Sequence, residues 1–180
     1  VVSKLSASVY EINPLIILRS LNDGEVQIPK DASALIIAGP QTDFLNVELA
    51  ALDQYLLQGG AAIFLIDPVN QSETLDLVTF LAERGIVLGN DVVVDALAQQ
   101  PVYPVVQSYS DHPIVASFKN TTSLFALARS VTASDNLSDG TKIQELFTTL
   151  DDNSWAETAL DELTERQGPK EGQALGPIGL

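Results

Sequence analysis

The chain has 180 residues, 46% of them hydrophobic and 18% charged, an ordinary apolar share for a soluble domain and enough length to form a core without disulfides or a structural metal. It has no cysteine, which closes Cys-His amidotransferase and protease chemistry, CxxC redox pairs, thiolate zinc sites and disulfide frameworks. Twenty-four acids against nine bases give a net charge of −15, which repels phosphate backbones and anionic lipid surfaces and argues against nucleic-acid binding.

Val9 to Leu18 reads as a strand, with Pro14 placing it at an edge or a bulge. Ala34-Leu35-Ile36-Ile37-Ala38, closed by Gly39-Pro40, is a continuous apolar run that suits a strand buried on both faces, and Ala61 to Ile66, closed by Asp67-Pro68, repeats it. Between them Leu49, Leu52 and Leu56 recur at helical spacing, with Asn46 as the expected N-cap and Gly59-Gly60 as the stop. This is a β-α-β unit whose two strands are expected to be parallel, adjacent or nearly so, and central. A second helix is expected from about Ser72 to Arg84, with Leu75, Val78, Leu81 and Ala82 on one face, Asn70 and Glu73 as a capping box, and Gly85 at its end. Ile86-Val87-Leu88 and Val92-Val93-Val94 follow as further strands.

Alternation of this kind predicts one three-layer α/β domain over residues 1–180, a mostly parallel sheet with helices on both faces. Beyond Asp95, Pro101 to Ser108 and Leu124 to Val131 read as strands and Asp111-His112-Pro113 as the start of a short helical turn. Residues 151–174 are polar and acidic and read as a surface excursion. No stretch reaches the roughly 18 apolar residues of a membrane span, and there is no signal-peptide pattern. The chain has no methionine, so it reads as a segment of something longer, with any membrane anchor outside it.

Several pieces, taken as an ordered set, carry a resemblance. They are Ala34 to Leu45, Glu48 to Gly60, Phe64-Leu-Ile-Asp-Pro, Arg84 to Asp95, the Asp111-His-Pro-Ile turn, Ser154-Trp-Ala-Glu-Thr and the closing Gly176-Pro177. Over residues 5 to 180 the chain resembles the auxiliary proteins of ABC transporters of the gliding-motility (GldG-like) type. The resemblance implies a membrane-anchored accessory subunit beside a transporter's ATPase and permease, its soluble domain on the extracytoplasmic (periplasmic) side of the cell membrane. It also implies a flavodoxin-like or class I amidotransferase-like sheet that lacks the enzymatic residues of that superfamily, and a further apolar strand after Gly176-Pro177, which this chain is expected to stop short of.

Five residues are candidates for ligand or partner binding. Asp67, at the carboxyl end of a strand, is placed either to anchor a ligand or to make an Asx turn. Asp95, with Asp91, brackets the Val92-Val94 run, but no Asp-x-Asp-x-Asp-Gly spacing is present and no metal site is expected. His112, the single histidine, sits in what reads as a helix-entry turn. Trp155 either stacks on a sugar or partner side chain or pins a long loop to the core, and Glu157 is a candidate partner for Arg129. The Gly39-Pro40-Gln41-Thr42 loop has one glycine where a dinucleotide fingerprint has three, and no serine sits in a G-x-S-x-G elbow. No catalytic residue and no cofactor are expected.

The reading favoured by the residues and the resemblance is a non-catalytic extracytoplasmic domain that binds partner proteins or a small ligand such as a saccharide. Its partners would be the permease and ATPase subunits, reached through the parent protein. Two alternatives stand beside it. One is a degenerate amidotransferase-like or carboxylate-based hydrolase using Asp67, Asp95 or Glu157, which would need two carboxyls about 5 to 10 Å apart. The other is a purely structural spacer.

Overall fold

The computed structural model describes residues 10–17, 21–22, 25–68, 75–135, 137, 140–150, 152–159, 168–169 and 175–180. Two compact units are distinguished: one comprises residues 1–36 and 44–63, the other residues 37–43 and 64–180.

The first unit holds the hairpin β1 (Leu21–Asn22) and β2 (Glu25–Val26), the start of β3 (Leu35–Ala38), helix α1 (Asn46–Leu57) and the start of β4 (Ala62–Leu65). Helix α1 buries Ala51 and Leu52, in line with the expected leucine face. Its cap is Leu45 rather than Asn46, because Glu48 reaches back to accept the Leu45 amide at 3.0 Å. Gly59 ends the helix with φ +89°, the left-handed conformation that favours glycine, and a Cβ on Gly60 would lie 2.3 Å from the Tyr55 ring. Tyr55 in turn donates its hydroxyl to the carbonyls of Ala32 and Ala61.

The second unit holds the ends of β3 and β4, then α2 (Leu75–Ala82), β5 (Ile86–Leu88), β6 (Val92–Asp95), β7 (Val105–Val106), β8 (Ser108–Tyr109), a 3-10 turn (Ala116–Phe118), β9 (Ser123–Leu124), β10 (Val131–Ala133), β11 (Phe147–Thr148) and β12 (Ser154–Glu157). Helix α2 buries Leu77, Phe80 and Leu81, so its inward face is displaced from the expected one and Leu75 is exposed. Gly85 closes it with φ +89°. The expected start at Ser72 and the Asn70–Glu73 box lie outside the described residues.

The three-layer, mostly parallel sheet expected from the sequence, flavodoxin-like or class I amidotransferase-like, is not what forms. The described strands pair two by two, as β1–β2, β3–β4, β5–β10, β6–β12, β7–β9 and β8–β11. All of these except β3–β4 have an antiparallel register. In β3–β4 the Leu35 amide donates to Ala61 and the Gly39 amide to Leu65, so both partners advance in the same direction and the pair is parallel. β3 and β4 are adjacent, as expected, but they form a sheet of their own instead of the centre of a larger one.

The physical reasons are local. β3 and β4 alternate between half-buried and exposed residues, so their apolar runs are covered on one face only. Pro101 and Pro104, which cannot donate to a ladder, shorten the run before Ser108 to β7 and β8. Leu127 at φ +52° interrupts the run from Leu124 to Val131, leaving β9 and β10 apart. Residues 10–17 carry no strand.

Burial is greatest at β6 and β12. Every residue of β6 is buried, as are Ser154, Trp155 and Glu157 of β12, so part of the expected surface excursion lies in the core. The closing residues 175–180 pack beside them through Gly176 N to Ser154 O, Thr149 N to Ile178 O and Val131 N to Gly179 O.

Candidate functional site

The β6–β12 register places Ser154 opposite Asp95, Trp155 opposite Val94, Ala156 opposite Val93 and Glu157 opposite Val92. Side chains alternate faces along a strand, and directly opposed residues share one. Asp95 and Ser154 therefore share a face with Val93 and Ala156, while Trp155 and Glu157 share the other with Val92 and Val94. A carboxylate pair made of Asp95 and Glu157 is ruled out by that parity. On its own face Glu157, 2% exposed, accepts the Trp155 indole Nε1–H at 3.3 Å and the Ala159 amide at 2.8 Å. The indole ring, also 2% exposed, is part of the core.

Arg129 does not pair with Glu157. The guanidinium, buried among the strands, donates through Nε and Nη2 to the Gly89 carbonyl and through Nη1 to the Asp67 carbonyl. Burial pushes it below its ordinary pKa, and the nearby Asp91 charge opposes that shift. Asp91 itself accepts the Ser130 amide at 2.8 Å and the Ser130 hydroxyl at 2.7 Å. A Cβ on Gly89 would sit about 2 Å from both the Asp91 and Ser130 oxygens, so this buried polar knot requires a glycine there. The sequence signal was Gly89-Asn90-Asp91 between two apolar runs, with Arg129 inside a third. Asp91 read as one bracket of the Val92-Val94 run and Arg129 as a charge whose candidate partner was Glu157, so the sequence did not join them into one cluster.

Asp67 is exposed at the end of β4, close to Gly39, whose φ is +54°. In the same unit Asp43 accepts the amides of Asp76 at 2.7 Å and Leu77 at 3.1 Å. The start of α2, where an open α/β protein would hold an anion, thus receives a carboxylate from the chain itself. His112 is half-buried, its Nδ1 accepting the Ile114 amide and its carbonyl accepting from Val115, which is the expected helix-entry turn. Beside it Asp111 pairs with Lys119 at 2.6 Å in solvent.

Asp95 lies at a hollow. Its Oδ1 accepts the Leu97 amide at 2.9 Å and its Oδ2 the Val105 amide at 3.3 Å. Asp95, Leu97, Val105 and Leu150 line a depression of about 190 Å³. The structure therefore sets Asp95 in a concave apolar surround, Asp67 and His112 toward solvent, and Trp155 with Glu157 inside the core. It does not bring the five together. Among the described residues no group of three or more His, Asp or Glu side chains is arranged to hold a metal ion, and no helix is long and apolar enough to cross a membrane.

Four carboxylates, those of Asp43, Asp91, Asp95 and Glu157, each accept at least one backbone amide. The family model for the ABC-type uncharacterized transport system matches residues 1–174, and the chain belongs to that family. No curated protein is significantly similar to it in sequence. Among solved structures it is similar to the mmIFT52 N-terminal domain, with a TM-score of 0.63 and 17% identity. That match covers 85% of this chain and 65% of the other, so the chain spans less than two thirds of its length, and the likeness concerns the fold alone.

Proposed function

We propose that the chain is the extracytoplasmic domain of an ABC-transporter auxiliary subunit of the gliding-motility type, and that it works by holding partner proteins rather than by turning over a substrate. The observation that carries the reading is the family match over residues 1–174. The site chemistry supports it. Asp91 is engaged by Ser130, Asp95 by two backbone amides, Glu157 by Trp155 and Ala159, and Asp43 by the first amides of α2. Carboxylates bound in this way hold loops in place. The hydrolase alternative loses its Asp95–Glu157 pair to strand parity. Of the five candidates, Asp67, His112 and Asp95 are the ones a partner reaches, and Trp155 and Glu157 keep the frame on which they sit.

The test is co-purification from detergent-solubilised membranes carrying the parent protein with an affinity tag. Permease and ATPase subunits of one transporter are expected in the eluate, and the domain is expected to be cleaved by protease added outside the cytoplasmic membrane. An eluate free of both subunits, or a domain protected until the membrane is opened, would refute the reading.

A further inference from the structure

The hollow beside Asp95 combines a buried carboxylate with apolar walls. Asp95 is buried, yet every bond its carboxylate makes within the described residues is to a backbone amide, one from Leu97 and one from Val105. Two amides use about half of the acceptor positions of an ionised carboxylate. A buried carboxylate is stabilised far more by a cation than by neutral donors. The residues that bond it also form the walls: Leu97 is 70% exposed, and Val105 and Leu150 complete the lining. The whole chain carries −15, with only nine bases, so its surface field favours a cationic visitor and disfavours an acidic one or a second copy.

We propose that the hollow lined by Asp95, Leu97, Val105 and Leu150 receives one arginine side chain of a partner protein, its methylene stem on the leucines and its guanidinium on the Asp95 carboxylate. Arginine is preferred over lysine because its planar fork offers several donors in fixed geometry and sheds water at less cost. A volume of about 190 Å³ accommodates one long side chain and not a folded element. The proposal rests on the partner-binding reading above and adds to it the chemistry of one contact.

The experiment is an NMR titration of the chain with a doubly blocked Ala-Arg-Ala tripeptide, in about 0.3 M salt so that the general acidic field is screened. The control is the same peptide with citrulline, which keeps the shape and loses the charge. Amide signals of Leu97, Val105 and Leu150 are expected to move with the arginine peptide, and binding of the citrulline peptide to be at least about tenfold weaker. Asp95→Asn is expected to abolish the difference. Leu97→Trp, at a residue exposed enough to change without unfolding the chain, leaves the carboxylate in place and is expected to block the peptide by filling the mouth. Equal response to both peptides, shifts spread over other acidic surfaces, no response, or undiminished binding by Leu97→Trp would each overturn the proposal. The reading of the domain is checked apart from it: if Asp95→Asn still co-purifies the transporter subunits while the peptides fail, the arginine contact falls and partner binding stands.

Discussion

Ile63 and Trp155 occupy comparable places, each in the later strand of a two-stranded pair, yet Ile63 is 53% exposed and Trp155 is 2% exposed. The β3–β4 pair came from long continuous apolar runs and keeps one face in water. The β6–β12 pair includes Ser154 and Glu157, both buried, and is the best covered of the described pairs. Apolar composition thus marked which residues can be buried, and the elements packed on each face decided which are. The carboxylates of this pair are buried with donors close by in the chain: Asp95 accepts the Leu97 and Val105 amides, and Glu157 accepts the Trp155 indole N–H and the Ala159 amide.

The sharpest way to break this comparison is to truncate both residues. Trp155→Ala should destabilise the chain by roughly 3 to 5 kcal/mol, since it opens a cavity in a packed core and strips Glu157 of one donor. Ile63→Thr should change stability by less than about 0.5 kcal/mol, as expected for a surface position that keeps strand propensity. Urea denaturation followed by tryptophan fluorescence measures the second, and circular dichroism the first. Comparable losses would mean that the exposed face of β3–β4 contributes as much as the β6–β12 core.

A smaller effect tests whether the polar knot is structural. Arg129→Met retains most of the volume but removes the guanidinium donors from the Gly89 and Asp67 carbonyls and the neighbouring cation from Asp91, at a cost of about 3 kcal/mol. Burial is what holds the guanidinium below its ordinary pKa, so the charged form already bears a desolvation penalty, and a loss near zero would show that the carbonyls recover water instead. Hydrogen exchange at Val131 and Ser134, just beyond the knot, is expected to accelerate in the variant.

Smaller still is the cap on α2. Asp43→Ala should cost about 1 kcal/mol, the usual loss when a capping side chain is removed, and should raise exchange at the Asp76 and Leu77 amides selectively. Adding phosphate to this variant separates two roles. If the freed amides bind phosphate and recover protection, Asp43 had been standing in for an anion; if they do not, the carboxylate was a cap alone.

Much of the local structure was legible in the sequence. Leu52 at helical spacing, Gly59 and Gly85 as stops, the turn at His112 and the adjacency of β3 and β4 all follow from short-range rules. What was not legible depends on which distant residues meet. The assembly of the strands into pairs rather than one sheet required knowing that Leu127 takes a positive φ and that β6 finds its partner some sixty residues later, in a segment whose acidic flanks read as surface. The same holds for the site. Asp95 was legible as a strand-end carboxylate, but its hollow is built from Leu97, Val105 and Leu150, and Leu150 is brought there only by the fold. Asp43, at the end of a loop, gave no sign that it would cap a helix more than thirty residues on.

The weakest expected effect lies at Asp111 and Lys119, a pair at the surface beside His112, and it sets the lower end of the comparison. The hydrogen bond from Lys119 is the larger cause that holds the Asp111 carboxyl below its ordinary value, and the Lys119 charge adds to it. A carboxyl depressed in the folded state favours folding at pH values above the ordinary aspartate range, and that contribution is lost as pH falls through the depressed value. Asp111 is 98% exposed, so solvent screens the pair and denaturation curves of Lys119→Met should overlay those of the parent chain. The readout is instead the carboxyl carbon titration of Asp111 by NMR. In the parent chain its midpoint should lie below that of an isolated aspartate, and in Lys119→Met it should return upward, while about 0.5 M salt should move the parent value part of the way. An unchanged midpoint in the variant would show that the bond at 2.6 Å does not persist in solution.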